Sequence, residues 1–289
     1  MLKTVWLTKQ KNDARGGIML LGGFDGLHLG HRQLLSCAKN SGLPVGIMSI
    51  FGGKEREGLF TAFERARIFQ ENGVDFVFEL PFAEIKDLSP TAFLEILIGE
   101  FSPAVFVCGE DFRFGMGAQG TPDFLKQATR VRVEVLPLVE IEGKKVSSRT
   151  VKELLKKGEI KKANALLGEN FFLIGKVEKD RQVGRTLGFP TANIAYPKEK
   201  FSLKKGVYES RVCLDGKAYK GITNFGARPT FGDCNEWTET YLDRFDGDLY
   251  GREIKVEFVR YLRDIEKFDG VDELKKQLTE DIRRVREND

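Results

Sequence analysis

Histidine is almost missing from this chain, with two among 289 residues. Cysteine is sparse as well: Cys37, Cys108, Cys213 and Cys234 stand far apart and form no C-x-x-C pair. That spacing excludes a disulfide framework or thiolate zinc site and predicts a reducing, cytoplasmic setting. No apolar run approaches the roughly 18 residues of a membrane-spanning helix, and "MLKTVWLTKQKNDARGG" holds no signal-peptide core. A soluble protein without a membrane partner is expected. A surplus of one charge sign is also missing, because 46 basic residues face 43 acidic ones for a net charge of +3. A dedicated nucleic-acid binder would carry a concentrated basic face, so no nucleic-acid partner is expected. Finally, G-x-x-x-x-G-K-[ST] occurs nowhere, so any chemistry that needs a P-loop is excluded.

What is present has two grammars. In the first half, "IMLL" (18–21), "PVGIMSIF" (44–51), "VDFVFEL" (74–80), "AVFVC" (104–108) and "VRVEVLPL" (131–138) read as strands. Near-continuous apolar runs of this length suit a parallel sheet covered on both faces. Helical patterns at 30–42, 61–73 and 89–101 lie between them, with Gly42 and Gly73 at expected C-terminal ends and Ser89-Pro90 at a start. The alternation predicts a doubly wound, Rossmann-like α/β domain with ligands at the carboxyl ends of its strands. In the second half, segments near 171–180, 206–226, 236–246 and 252–262 are strand-like, and "LDGKAY" supplies an Asp-Gly hairpin signal. The tail is helical, with Leu274, Leu278, Ile282 and Val285 on one face. A small antiparallel barrel closed by a terminal helix is predicted. Charged helices join the halves, which places the domains at 1–158 and 159–289.

Both histidines sit in "GGFDGLHLGH" (22–31), directly after the first expected strand and at the start of a helix. Glycines there let backbone approach a phosphate, and the helix N-terminus offers unpaired N–H groups and positive potential. His28 and His31, three residues apart, would share a face and act as two donors to charge developing on phosphorus and on departing pyrophosphate. Taken singly they also fit a capped turn with two incidental polar groups. In "VCGEDFRFGMGAQG" (107–120), Asp111 suits a ribose hydroxyl while Phe112 and Phe114 suit the flanks of a flat ring. In "KKVSSRTVK" (144–152), Ser147, Ser148 and nearby cations suit phosphate oxygens at a helix start. An ordinary glycine-rich loop and a solvated N-cap are the bland alternatives.

The first of these stretches resembles the H-x-G-H signature of the nucleotidylyltransferases, and the three in order resemble the adenylyltransferase half of bacterial bifunctional riboflavin kinase/FAD synthetases. That resemblance implies an ATP and flavin site using Gly22, Phe24, Asp25, Gly30, Asp111, Phe112, Lys145, Ser147, Ser148 and Arg149. The family pattern "ISST-x-IR" is replaced by "VSSRTVK", leaving open which of Lys145, Arg149 and Lys152 meets the triphosphate.

"GKVEKDRQVGRTLGFPTANI" (175–194) combines glycines, a cation and hard oxygen donors of the kind magnesium accepts beside phosphate and water. It resembles the flavokinase signature, and "GVY", "NFGARPTF", "TETYLD" and "DLYGREIKVEFVRYLR" follow in that family's order. The resemblance implies Gly184 and Arg185 at the nucleotide, Thr191 and Asn193 as magnesium ligands, and Glu239 as general base. Where the family commonly has histidine after "ET", this chain has Tyr241, a change expected to matter little if that side chain only packs. The implied substrates are ATP, riboflavin and FMN. Alternatives are a kinase whose adenylyltransferase half is weak or retuned, a flavin carrier, and a tRNA-synthetase-like protein, although the last would need a "KMSKS" loop that is absent.

Overall fold

The computed structural model describes residues 3–7, 15–52, 57–179, 189–227 and 236–287. The chain forms two compact units, Met1–Thr150 and Val151–Asp289.

The first unit holds a six-stranded sheet of β1 (Lys3–Trp6), β2 (Ile18–Leu21), β3 (Val45–Phe51), β4 (Phe76–Pro81), β5 (Val105–Gly109) and β6 (Arg132–Leu136), in the order β1-β4-β3-β2-β5-β6. Five strands run parallel, and β1, which the sequence pattern does not predict, adds antiparallel to the outer side of β4. The helices are α1 (Leu29–Lys39), α2 (Ala62–Glu71), α3 (Phe82–Ile85), α4 (Pro90–Phe101) and α5 (Pro122–Ala128). Each long helix has a local reason to start where it does. Thr61 and Glu64 form a capping box on α2, and Ser89 caps α4 with Pro90 in its first turn. Phe93, Leu94, Leu97 and Phe101 of α4 bury against Phe76, Phe78 and Phe106 of the sheet. From β2 the chain winds outward to β3 and β4, then returns to the other side of β2 for β5 and β6. Right-handed crossovers put those two sets of helices on opposite faces, and the crevice between the ends of β2 and β5 becomes the switch point where ligands bind.

After a short hairpin, β7 (Glu140–Ile141) and β8 (Lys144–Lys145), α6 (Ser148–Lys157) and α7 (Ile160–Leu167) follow. The second unit curls β9 (Phe171–Lys176), β10 (Thr191–Ala195), β11 (Gly206–Leu214), β12 (Lys217–Ala227), β13 (Glu236–Leu242) and β14 (Glu253–Arg263) into an antiparallel sheet of order β10-β13-β12-β11-β14-β9. A bridge between Glu178 and Asn193 joins the two ends, giving the expected barrel. The β11–β12 hairpin turns at Asp215 and Gly216, with φ of 51° and 78°, the conformation for which Asp-Gly is selected. Phe171, Tyr208, Phe225 and Phe258 fill the interior.

The terminal helix α8 (Val271–Glu287) divides its apolar stripe in two. Ile282 and Val285 are buried against Val207 and Ile222, whereas Leu274 and Leu278 line an open cavity. The helix is pinned by fully buried Asp281, which accepts from Arg263 Nη2 at 2.8 Å and from Gln277 at 3.0 Å. Asp281→Ala takes the buried carboxylate away from the guanidinium, so we expect a loss of about 3–5 kcal/mol. Denaturant unfolding followed by Trp237 emission in a Trp6→Phe background measures it.

Candidate active sites

The turn between β2 and α1 is built around its histidines. His28 is the N-cap of α1 with extended backbone, and its Nδ1 accepts from the His31 N–H at 3.3 Å. His31 Nδ1 lies 2.7 Å from the Gly26 carbonyl oxygen. A carbonyl only accepts, so His31 carries its proton on Nδ1. His28 must in turn carry its proton on Nε2. The neutral pair therefore offers a ligand one donor, His28 Nε2–H, and one acceptor, His31 Nε2, rather than the two donors expected from sequence. The rings stack with centroids 3.7 Å apart, and Phe24 stacks on His31 from behind at 4.2 Å. Gly30 suits this packing, since a Cβ there would press on His28 Cε1 at 3.2 Å and the ring would have to give by a few tenths of an ångström.

His28 is 8% exposed. Burial, helped by the positive charge of Lys145, pushes its pKa down from 6.5 to about 4. Burial and the neighbouring His28 hold His31 well below the usual range as well. Between pH 4 and 6.5 the unfolded chain binds the proton that folded His28 refuses, so stability falls as pH drops through that window. The drop from 6.5 to about 4 corresponds to roughly 3 kcal/mol. We expect the first unit's melting temperature to decline between pH 6.5 and 4, and His28→Gln to flatten that decline in calorimetry.

These rings open onto a cavity of about 370 Å³ at the carboxyl ends of β2 and β5. Gly22, Gly30, Asp111, Phe112, Lys145 and Ser147 line it with them. Asp111 and Lys145, expected at a ribose and a triphosphate, form an ion pair with each other. Other expected residues stand elsewhere. Phe24 is wholly buried as the support for His31, and Asp25 accepts from Leu59 N at 2.8 Å while facing Arg65, which ties down the 57–61 loop. Phe114 is a core residue stacked beneath Phe112, not a cavity wall. Ser148 begins α6 and Arg149 is exposed, neither lining the cavity, and Lys152 is buried over the Phe201 ring. Lys145 is thus the one of the three candidate cations that lines the cavity.

The second cavity, about 240 Å³, lies on the outer face of the barrel beneath α8. Strand register assembles it. Asn193, Glu239 and Asn224 are opposite one another across β10, β13 and β12, and Thr191, Tyr241 and Ile222 form the next such row. Thr191 Oγ1 donates to Glu239 Oε1 at 2.8 Å. Thr191, Glu239, Asn224, Tyr241, Leu274 and Leu278 line the cavity. Asn193 is buried beside Glu239 in the ladder. A hydroxyl, an amide and a carboxylate this close fit a hard cation that keeps most of its water and phosphate ligands. Gly184 and Arg185 lie outside the described residues. Sequence reasoning missed Asn224, and it gave Tyr241 no part in the site.

A Rossmann-like unit with a histidine pair at its switch point, and an antiparallel barrel with a carboxylate–hydroxyl pair, define a two-unit nucleotide-dependent transferase. The riboflavin kinase family profile matches residues 167–288 and the FAD synthetase profile residues 10–150. The chain belongs to the bifunctional riboflavin kinase/FMN adenylyltransferase family. It is 32% identical to the protein of that name from Bacillus subtilis, covering 97% of this chain and 96% of that one. It is 33% identical to the one from Pseudomonas fluorescens, covering 94% and 93%. Among solved structures, a protein from Streptococcus pneumoniae named a macrolide-efflux protein superposes with a TM-score of 0.86 at 28% identity, over 95% of each chain. Efflux belongs to that protein's name alone; among the described residues here no helix is long and apolar enough to cross a membrane.

Proposed function

We propose that each unit carries one ATP-dependent step: the barrel phosphorylates riboflavin to FMN, and the Rossmann-like unit transfers AMP from ATP onto FMN, giving FAD and pyrophosphate. The pairing of two chemically different cavities, one per unit, carries this reading. The domain division is proposed at 158, between α6 and α7, where Gly158 has a φ of 78°; the compact units themselves part after Thr150. Free Cys37, Cys108 and Cys213 fit the proposed cytoplasmic setting.

In the first unit, His28 Nε2–H donates to a phosphate oxygen. Negative charge brought against His31 raises its proton affinity, so the ring takes a proton from solvent on Nε2 as ATP binds, donates a hydrogen bond to departing pyrophosphate, and returns the proton to solvent when pyrophosphate leaves. Gly22, Gly30 and the Ser147 hydroxyl cradle phosphate oxygens, Lys145 exchanges Asp111 for the triphosphate, and Asp111 is released to a ribose hydroxyl. Phe112 offers its ring to the base. Phe24 and Asp25 act through the histidine turn and the 57–61 loop.

In the second unit, Glu239 accepts the proton of the riboflavin 5′-hydroxyl as that oxygen attacks the γ-phosphorus of ATP. The Thr191 hydroxyl, donating to one Glu239 oxygen, fixes the carboxylate's orientation and turns its own lone pairs toward the metal position. Thr191 and Asn193 would hold magnesium, which when bound neutralises phosphate charge and aligns the transferred group. Gly184 and Arg185 are proposed at the nucleotide phosphates.

The test is incubation with riboflavin, ATP and magnesium followed by chromatographic separation of flavins. FMN and then FAD should appear, and a chelator should stop both. Absence of both products overturns the proposal, and FMN without FAD supports a retuned first unit.

A further inference from the structure

Gly26 supplies the carbonyl oxygen 2.7 Å from His31 Nδ1, and its φ of 141° lies in the region that favours glycine. Glycine carries no side chain to brace its peptide units, so they turn freely unless a neighbour restrains them. Here the neighbour is the Phe60 ring, so close that a Cβ on Gly26 would stand 2.9 Å from Phe60 Cδ2. Phe60 is 1% exposed and is not among the residues lining the cavity. It is held in turn by its surroundings. The next residue, Thr61, is the capping-box N-cap of α2, and the Phe60 carbonyl accepts from Arg65 Nη1 at 3.0 Å. That nitrogen lies 3.6 Å from Asp25 Oδ1, while Asp25 Oδ2 accepts from Leu59 N at 2.8 Å. The 57–61 loop therefore grips the histidine turn at two consecutive residues, Asp25 through its carboxylate and Gly26 through bare backbone.

A neutral imidazole has one proton to place, and the carbonyl it meets decides which nitrogen keeps it. With Nδ1–H given to Gly26, His31 Nε2 is the nitrogen left to meet phosphate. Accepting the adenylyltransferase reading, that nitrogen must also gain a proton, and the Gly26 oxygen then accepts a charge-assisted hydrogen bond from the imidazolium. From this chain of contacts we propose that Phe60 is a positioning residue for AMP transfer: its ring fixes the Gly26 carbonyl, and so the tautomer of His31. Arg65 supports it by holding the Phe60 carbonyl. Neither residue acts by touching substrate. When the ring is removed, the Gly26 peptide turns, His31 samples both neutral tautomers, and the imidazolium loses its acceptor.

The experiment labels histidine with nitrogen-15 in the full-length chain, purified without a histidine tag and observed by NMR at neutral pH. The chain has only two histidines, and His28→Asn leaves the His31 ring alone for assignment. A ring nitrogen without a proton resonates far downfield of one that carries it, and couplings to the carbon-bound ring protons tell Nδ1 from Nε2. Native His31 should show one tautomer, protonated on Nδ1. Phe60→Ala should show averaged nitrogen shifts and a kcat for FAD formation lower by roughly tenfold or more, the scale of loss when the group behind a metal-bound imidazole is removed. The KM for ATP should stay close to native, because the cavity lining is intact, and FMN formation should be unaffected. Phe60→Leu refills the space and should recover both tautomer and rate. Native His31 protonated on Nε2 overturns the proposal, as does a Phe60→Ala protein whose tautomer or FAD rate matches native. If Phe60→Ala does not fold, Arg65→Met decides by the same two readouts, since it removes the donor to the Phe60 carbonyl and keeps the ring; native tautomer and rate there contradict the proposal. A native chain that makes no FAD is a different result, which overturns the adenylyltransferase reading while the tautomer measurement still judges the role of Phe60.

Discussion

FAD formation from supplied FMN should fall by about 10²–10³-fold or more in His28→Ala, the range seen when one preorganised donor to developing charge is removed. FMN formation from riboflavin should persist in the same protein, because Glu239 and Thr191 belong to the other unit. The variant also loses a helix cap, since His28 Nδ1 accepts from His31 N, at a cost of about 1 kcal/mol. His28→Asn separates the two effects: asparagine caps well but lacks a donor at the Nε2 position. Both variants should be equally inactive in FAD formation, with Asn melting higher. Retention of activity in His28→Asn, or loss of both reactions in a folded variant, contradicts the assignment. Rates are read by separating FMN and FAD after timed incubations.

Glu239→Gln should lower kcat for FMN formation by about 10²–10⁴-fold, the usual contribution of a positioned base. Glutamine is nearly isosteric, and its amide oxygen can still accept from Thr191 Oγ1, now 2.8 Å from Glu239 Oε1. Ground-state contacts are thus retained and the loss should fall on kcat rather than on KM for ATP. FAD formation from supplied FMN should continue. An unchanged kcat in Glu239→Gln would remove the carboxylate from proton transfer, and a loss confined to KM would make it a binding group.

The parts of the fold legible in sequence were those whose signal is local. Strands β2 to β5 are apolar because both faces of a parallel sheet are covered, edge strand β6 keeps its alternating valines, and Ser89-Pro90 announces α4 by cap chemistry that needs no tertiary partner. Strand β1 was missed because four residues at a sheet edge, "KTVW", carry too little pattern. Strand β10 was read for its chemistry alone. Ala192 and Ile194 are buried while Thr191 stands on the other face, a period of two shortened below recognition by Pro190. Helix α5 has its cap at Thr121 and Pro122 at its start, signals overshadowed by the glycine-rich loop before it.

The sites divide in the same way. The histidine turn is one contiguous stretch, and its residues interact with one another, so sequence located it. It could not assign the proton positions, which depend on the Gly26 carbonyl and the His31 amide. Asn224 and Tyr241 enter the second site only through cross-strand register, and Leu274 and Leu278 through the docking of α8. Phe114 and Lys152 went the other way, chemically suitable side chains that packing consumed.

Among the described residues one bridge joins the ends of the barrel, and it has a mechanical consequence. Adjacent strands elsewhere are laced by ladders of five to nine register pairs, but this seam is held at Glu178 and Asn193, with Glu178 N 2.8 Å from Asn193 O. A closed tube under thermal load yields first where its circumference is thinnest, and regions with few backbone hydrogen bonds open at the lowest free energy. Among the described residues the seam with the fewest register pairs therefore passes Asn193, opposite Glu239.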